Sequence, residues 1–506
     1  MAQLEADVVR SQSDVKPSGL HGRRQIFTGE REINRGNVVD VLAKAMGTHL
    51  KNRAEEEYLE KYLRGIQPIL DRHKKLNADI ADNRIVVNIA NQIVTFKTAE
   101  FAGEPIQYVS RGSKKSVPKK IEKLNSMMIS EGKQSKDMDL AYKIFTYGVG
   151  YRLIVHDRAP NPGDLMDEAP FEIYIPDPRN TFVVRLNDVS KRVVMGVTYV
   201  YLDEPQGGIR YTVYTDNVTY TIDGGKDASF EIINEVQHNF GMVTLVEYPC
   251  NTIYMGAFEV VLPLLDAINT TQSNRLDGIE QFIQAIMVFE GVDVTMEQIT
   301  ELKEAGALKL PPAMDGRTSR VYYLNEQLDQ SQTQTLVDDM YQTVLQIVGM
   351  PSQSSGNTSD SSNNGAVIMK NGWWNAEARA LETEGAWKRA ETEFLKIALR
   401  ICRQTNTLDG LAVSDMEPKF GRRSYEDKLV KTQSFTTLIG AGVPPKQAYA
   451  ISGMVSDPEA AAIAYEAYQE AKAQELDRET NTSVVVRTQS NQDEPDGTDT
   501  PGGDAE

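Results

Sequence analysis

Gly349-Met-Pro-Ser352-Gln-Ser-Ser-Gly-Asn-Thr-Ser-Asp-Ser-Ser-Asn-Asn-Gly365 is a polar run set between two strongly patterned segments. Ser, Asn and Gly offer too little apolar surface to build a core, and a long uncored loop inside a folded region more often serves function than connection. Before the run, residues 331–348 place Leu336, Val337, Met340, Tyr341, Val344, Leu345 and Val348 on one helical face. After it, Trp373, Ala380, Trp387, Phe394 and Ile401 recur every seventh residue, with Ala376, Ala390 and Ile397 three positions further on. That heptad stripe predicts a helix of about 45 Å at 1.5 Å per residue, with charged residues on its other faces. The order is helix, polar loop, long helix, and the loop is expected to be a moving part.

A chain of 506 residues with 40% apolar content exceeds one hydrophobic core and is expected to fold as about two to four regions. No stretch reaches the ~18 uncharged apolar residues of a membrane-spanning helix, and the N-terminus lacks a charged-then-apolar signal pattern, so a soluble, cytoplasmic protein without a membrane partner is expected. The two cysteines, Cys250 and Cys402, are far apart and have no metal-type spacing; both read as small core residues. A net charge of −18 opposes a grip on nucleic acid through phosphates, which needs clustered Lys and Arg. Seven acids against Arg487 from Glu479 onward hold −6 of that charge and leave −12 for the remainder.

Residues 1–36 read as a flexible arm, with His21-Gly-Arg-Arg-Gln-Ile-Phe27 as a segment that docks on a neighbour. Helical spacing of Val38, Val39, Leu42, Met46 and Leu50 begins after Asn37, the expected N-cap, and continues through Tyr62 to a stop at Gly65. Arg84 to Ala99 reads as a buried helix ended by Gly103-Glu104-Pro105. Residues 150–250 change to short Val/Ile/Tyr-rich runs: 151–156, 171–175, 181–186, 193–201, 210–214, 218–222, 230–236 and 244–248 read as strands of an antiparallel block, with Asp223-Gly224-Gly225 as a hairpin turn. From Pro263 a helix carries Leu264, Leu265, Ile268, Leu276, Ile279, Phe282, Ile283 and Ile286 along one stripe. A small mixed unit follows, with strands at 285–289 and 320–324, a helix at 296–304 and a rigid corner at Pro311-Pro312. Beyond the long helix come a strand near 411–420, helices at 425–439, 445–452 and 457–477, and a disordered acidic tail over 479–506.

Catalytic patterns are scarce. Gly224-Gly225-Lys226 lacks the upstream glycine, the following Ser/Thr and the strand-to-helix setting of a phosphate loop, and reads as a hairpin. Val337-Asp338-Asp339 falls at helical spacing and reads as a solvated face rather than a magnesium-holding strand end. The histidines His21, His49, His73, His156 and His238 form no His-x-Glu or His-x3-His pair, and no Gly-x-Ser-x-Gly elbow occurs. No enzymatic activity, cofactor or metal is therefore expected. Trp373 and Trp374 are of a type that stacks on bases in single-strand binders. The heptad position of Trp373 and Trp387 makes them packing residues first; Trp374 stands off that stripe, where a second partner is needed, as in a ring whose subunits have neighbours on both sides.

Tyr62-Leu-Arg-Gly65-Ile-Gln-Pro-Ile69, Asn83-Arg-Ile-Val-Val-Asn88 and Phe101-Ala-Gly103-Glu-Pro105-Ile106 resemble the N-terminal signature of bacteriophage portal proteins, the siphophage type of Gram-positive hosts. Ser359-Asp360, Gly365-Ala-Val367, Asn371-Gly-Trp373 and Ala376-Glu-Ala-Arg-Ala380 are similar to that family's stretch from tunnel loop to long helix. The resemblance covers about residues 37–478 and implies an α+β, portal-type architecture assembled as a ring, usually of twelve. It implies a wing over 37–262 that includes the β-rich block, a first stem helix at 263–284, and a small mixed clip at 285–330. A second stem helix at 331–351, a tunnel loop at 352–370, a long helix returning to the wing at 371–420 and a helical crown at 421–478 complete it. By the same resemblance Ser354, Asn357, Ser359, Asp360, Asn363, Asn364 and Lys370 face a DNA channel, Trp373, Trp374, Trp387 and Phe394 pack the long helix between subunits, and Gly65, Asn88, Gly103 and Pro105 belong to the wing signature. The implied partners are double-stranded DNA, the terminase large subunit, head-completion adaptors, and capsid and scaffold proteins. The implied place is the portal vertex of the virion, and the host cytoplasm during assembly. Another phage ring or baseplate component, or a nucleic-acid-processing enzyme, is the alternative.

Overall fold

In the computed structural model the residues described are 22–72, 81–111, 116–156, 169–203, 207–224, 229–283, 287–290, 320–323, 330–351, 372–421, 428–455 and 458–490. They form two compact units: one takes the chain to Ile106 and Ser126–Val413, the other Gln107–Asn125 and the chain from Ser414.

Two larger sheets form the body of the first unit. A six-stranded sheet contains β1 (Ile26–Thr28), β5 (Thr181–Leu186), β6 (Val193–Tyr201), β7 (Ile209–Tyr214), β8 (Val218–Gly224) and β9 (Phe230–Gln237), in that spatial order. A three-stranded sheet runs β10 (Leu245–Pro249), β3 (Val149–His156), β4 (Phe171–Tyr174). Strand positions follow the alternation of the sequence: β7 buries Ile209, Tyr211 and Val213 and leaves Arg210, Thr212 and Tyr214 half-buried. Helix α1 (Val38–Leu63) covers the six-stranded sheet with Val38, Val41, Leu42, Ala45 and Met46, packed in one core with Phe182, Val184, Met195, Val197 and Val213.

Residues 22–36 correct the expectation of a free arm, because this stretch is bound into its own chain. β1 runs parallel to β5 with Ile26 opposite Val184, and buried Arg23 meets Glu55 at 3.2 Å and Glu259 at 2.5 Å. Ion pairs to residues so distant in sequence leave no local period to detect. Asn37 does not cap α1 through its side chain; its Oδ1 accepts from Asn34 N (2.8 Å) and its Nδ2 donates to Glu32 O (2.9 Å).

Helix α2 (Ile89–Ala102) starts later than expected, because the side chain of Asn88 caps it by accepting from Asn91 N (3.3 Å). The stretch 106–149, to which sequence periodicity assigned nothing, holds β2 (Ile106–Ser110), α3 (Val117–Ser130) and α4 (Lys133–Tyr147). Helix α5 (Leu262–Ile283) begins near Pro263 as expected, and β11 (Met287–Glu290) pairs antiparallel with β12 (Arg320–Tyr323). The expected helix at 296–304 and the Pro311-Pro312 corner lie outside the described residues. Helix α6 (Gln330–Val348) buries Val337, Val344, Leu345 and Val348 but leaves Leu336 51% exposed. Helix α7 (Trp373–Gln404) is the long helix of the heptad stripe.

In the second unit β13 (Met416–Phe420) pairs with β2, and three helices follow: α8 (Lys428–Gly440), α9 (Pro445–Ser452) and α10 (Pro458–Ser490). Phe435 stacks on Tyr449 with centroids 4.2 Å apart, and Tyr465 meets both rings edge-on. Helix α10 runs past Glu479, where disorder was expected; Glu475, Leu476, Arg478 and Glu479 are good helix formers and no Gly or Pro interrupts before Ser490. The remaining acidic stretch lies outside the described residues. Among the described residues no helix is long and apolar enough to cross a membrane, and no cluster of His, Cys, Asp and Glu is placed to hold a metal.

Candidate functional site: the root of the polar loop

The seven polar residues assigned to the channel, Ser354, Asn357, Ser359, Asp360, Asn363, Asn364 and Lys370, lie outside the described residues, but both ends of their loop are placed. Helix α6 closes on a Schellman motif: Gly349 takes φ +68°, its N–H donates to Gln346 O (3.3 Å), and Met350 N donates to Leu345 O (2.8 Å). The first turn of α7 then meets this end. Asn375 Nδ2 donates to Gln346 O (3.0 Å) and Arg379 Nη2 to Ile347 O (3.4 Å), so side chains of α7 satisfy the last carbonyls of α6. Only glycine suits position 349, since a Cβ there would stand 2.6 Å from Arg379 Cγ. The polar run therefore leaves and re-enters the fold at one point.

Helix α2 braces that root. Gln92 Nε2 donates to the Tyr341 hydroxyl (3.2 Å), and Phe96 lies against Trp373 with centroids 6.1 Å apart. Trp373 is half-buried, and the side chain of Trp374 lies outside the described set. Trp387 and Phe394 do not present a surface to another subunit: Trp387 packs between Phe101 (5.2 Å) and Tyr248 (5.0 Å), and Phe394 is fully buried. The lower part of the heptad stripe finds its partner inside the chain, against β3, β10 and α2.

Charges that sequence patterns did not single out fasten this packing. Lys133 Nζ lies 2.6 Å from Asp137 Oδ2 and 3.1 Å from Glu391 Oε1, while Arg152 bonds Asp137 and lies 2.8 Å from Glu391 Oε2. Tyr248 donates its hydroxyl to Glu391 (2.8 Å), and the Arg152 guanidinium sits over Phe394 at 4.7 Å. All four ionic side chains are buried, so two cations neutralise two carboxylates away from water. Burial pushes the Asp137 carboxyl above its usual range, and Lys133 and Arg152 pull it back. The available signal was Arg152 inside the apolar strand Tyr151-Arg-Leu-Ile-Val155. A charge inside an apolar strand requires a buried partner.

The signature residues gather at a second anchor, on α5. Asn269, Ser273 and Asp277, spaced four apart and buried, accept from the backbone N–H groups of Val87 (2.8 Å), Ile85 (2.9 Å) and Asn83 (2.7 Å). Four helical residues rise about 6.0 Å and two extended residues about 6.7 Å, so the two repeats stay in step over three bonds. Asn269 also donates to Gln67 Oε1 (2.5 Å), and Asn88 Nδ2 donates to Leu63 O (2.8 Å) beside Gly65, whose φ of +89° turns the chain out of α1. Gly103 ends α2 by donating to Ala99 O (3.1 Å), and exposed Pro105 leads into β2.

Two further buried groups, Glu56 and His49, lie on α1. Burial raises the Glu56 carboxyl to about 8, with Arg23 opposing, and lowers the His49 imidazole to about 3. His49 is therefore neutral, its Nε2 3.0 Å from the Tyr199 hydroxyl.

The residues assembled here do mechanical work, pinning helices to sheets and closing a loop at its root, as in a structural scaffold. The chain belongs to the phage portal proteins: residues 44–483 match the family described as "Phage portal protein, SPP1 Gp6-like". A search of curated proteins returns no match. The protein thus has the role of a portal, the head-to-tail connector used in packaging a phage genome, and the family is structural rather than enzymatic.

Proposed function

We propose that residues 352–370 form a tunnel loop that each subunit of a twelve-membered ring presents to duplex DNA in a central channel. The carrying observation is the pinned root: Gly349, Asn375 and Arg379 hold the ends of α6 and α7 together, so a rearrangement between them would leave both helices in place. Ser354, Asn357, Ser359, Asp360, Asn363 and Asn364 are uncharged or acidic, and a chain of net charge −18 forms few of the phosphate contacts that retard sliding. Lys370 is the exception and touches phosphate transiently.

In this assignment 37–262 is wing, α5 and α6 are the stem, 285–330 is the clip, and 421–478 is the crown. The clip docks the terminase large subunit during packaging and head-completion adaptors afterwards, with ATP hydrolysis carried by the terminase. Since Trp387 and Phe394 are committed within the chain, packing of the long helix between subunits falls to its first turn, at Trp373 and Trp374. Deleting Ser354 to Asn364 is expected to leave ring assembly intact and to impair packaging or retention of DNA. Normal packaging and retention by that variant would refute the loop's role.

A further inference from the structure

Among the described residues the three-stranded sheet ends at β10, which pairs with no strand on the side away from β3. Cys250 N donates to Gly148 O (2.9 Å) and Thr244 O accepts from Ile154 N (3.2 Å), in the register that pairs Leu245 with Leu153. The even-numbered residues of this ladder therefore bond to β3, and the backbone groups of Leu245 and Glu247 point the other way. Among the described residues nothing hydrogen-bonds to those backbone groups.

Leu245 and Glu247 both line a cleft of about 1200 Å³, walled by Arg185 and Lys191 and by Ala386 and Arg389 of α7. Its volume lies above the about 300–1,000 Å³ of small-molecule sites. Its rim carries fully exposed Val189 and 60% exposed Ile253. Arg389 makes no ion pair among the described residues.

The chain's own N-terminal side arrives at this rim. Arg23 N donates to Tyr254 O (3.0 Å), and Gly22 turns there with φ +79°, so close that a Cβ would stand 2.0 Å from Ile253 O. Arg23, Ile253 and Tyr254 all line the cleft. Gly22, the first described residue, therefore stands at its edge, with residues 1–21 before it in the chain. They contain the β-branched Val8, Val9 and Val15 and the acids Glu5, Asp7 and Asp14. At about 3.3 Å per residue, some five of them match the length of β10, leaving the rest for the turn.

We propose that residues 1–21 of this chain add a strand to the free edge of β10. Main-chain hydrogen bonds to Leu245 and Glu247 supply affinity, as in other strand additions. The valines cover the apolar rim, and an acid of the segment pairs with Arg389.

Hydrogen exchange over residues 243–249 tests this in three proteins: the full chain, the chain beginning at Gly22, and the full-length double variant Val8→Pro/Val9→Pro. The amides of Leu245 and Glu247 are expected to exchange at least about tenfold faster in both altered proteins, and a synthetic peptide of residues 1–21 is expected to restore protection to the shortened one. Protection in the full chain is expected to be independent of protein concentration. Equal exchange in all three proteins would overturn the proposal, as would protection lost on dilution, which would assign the cleft to a second copy. Loss in the shortened chain alone would overturn the strand.

Discussion

Glu391 shows how a single side chain decides the docking of a whole helix. Changing it to Gln keeps its shape but leaves Arg152 and Lys133 buried with one carboxylate between them. Breaking a buried pair in this way costs about 3–5 kcal/mol, so Glu391→Gln should lower the urea midpoint sharply while the slope stays unchanged. Glu56 gives a pH signature. Its carboxyl titrates near 4.5 when unfolded and near 8 when folded, so below pH 4.5 both states hold the proton and burial carries no penalty. As pH rises through the window from 4.5 to 8 the unfolded state alone sheds it, and stability falls. Glu56→Gln does not titrate and should gain on the parent by roughly 4 kcal/mol between pH 5 and pH 8.5, measured by denaturation at both. An advantage that does not change with pH would contradict the burial. Neither residue was legible in sequence: Arg152 within an apolar strand signals that a buried partner exists, but that Glu391 supplies it, and that Glu56 lies near Arg23, is fixed only by tertiary structure.

At the scale of elements, the eight strands of the β-rich block and the helices on either side of the polar run were legible because alternation and heptad spacing are local. Boundaries failed where a polar side chain intervened, as at Asn88, whose cap starts α2 at Ile89, five residues later than the expected Arg84. The Asn269-Ser273-Asp277 ladder was hidden because three polar residues on a helix read as a wet face until the extended backbone of 83–87 is laid against them. The loop root makes the sharpest claim at this scale. Gly349→Ala forces a left-handed alanine against Arg379 and should cost about 1–3 kcal/mol, with lost amide protection at Met350. Gly47→Ala, in open space on α1, should instead stabilise by about 0.5–1 kcal/mol, which separates the local conflict from a general effect of removing glycine.

For the molecule as a whole, the portal family was legible from short motifs held in order along the chain, and the match over residues 44–483 establishes it. The stretch before Asn37 was misjudged because Arg23 and β1 gain their meaning only from partners far along the chain. Subunit number and channel-facing side chains depend on how copies meet, which no single chain encodes in a readable period. The most direct test is a cryo-electron microscopy reconstruction of the assembled particle. A closed ring around a channel wide enough for duplex DNA is expected, with residues 352–370 of every subunit facing the axis. A particle without a through-channel, or one carrying these residues on its outer wall, would contradict it.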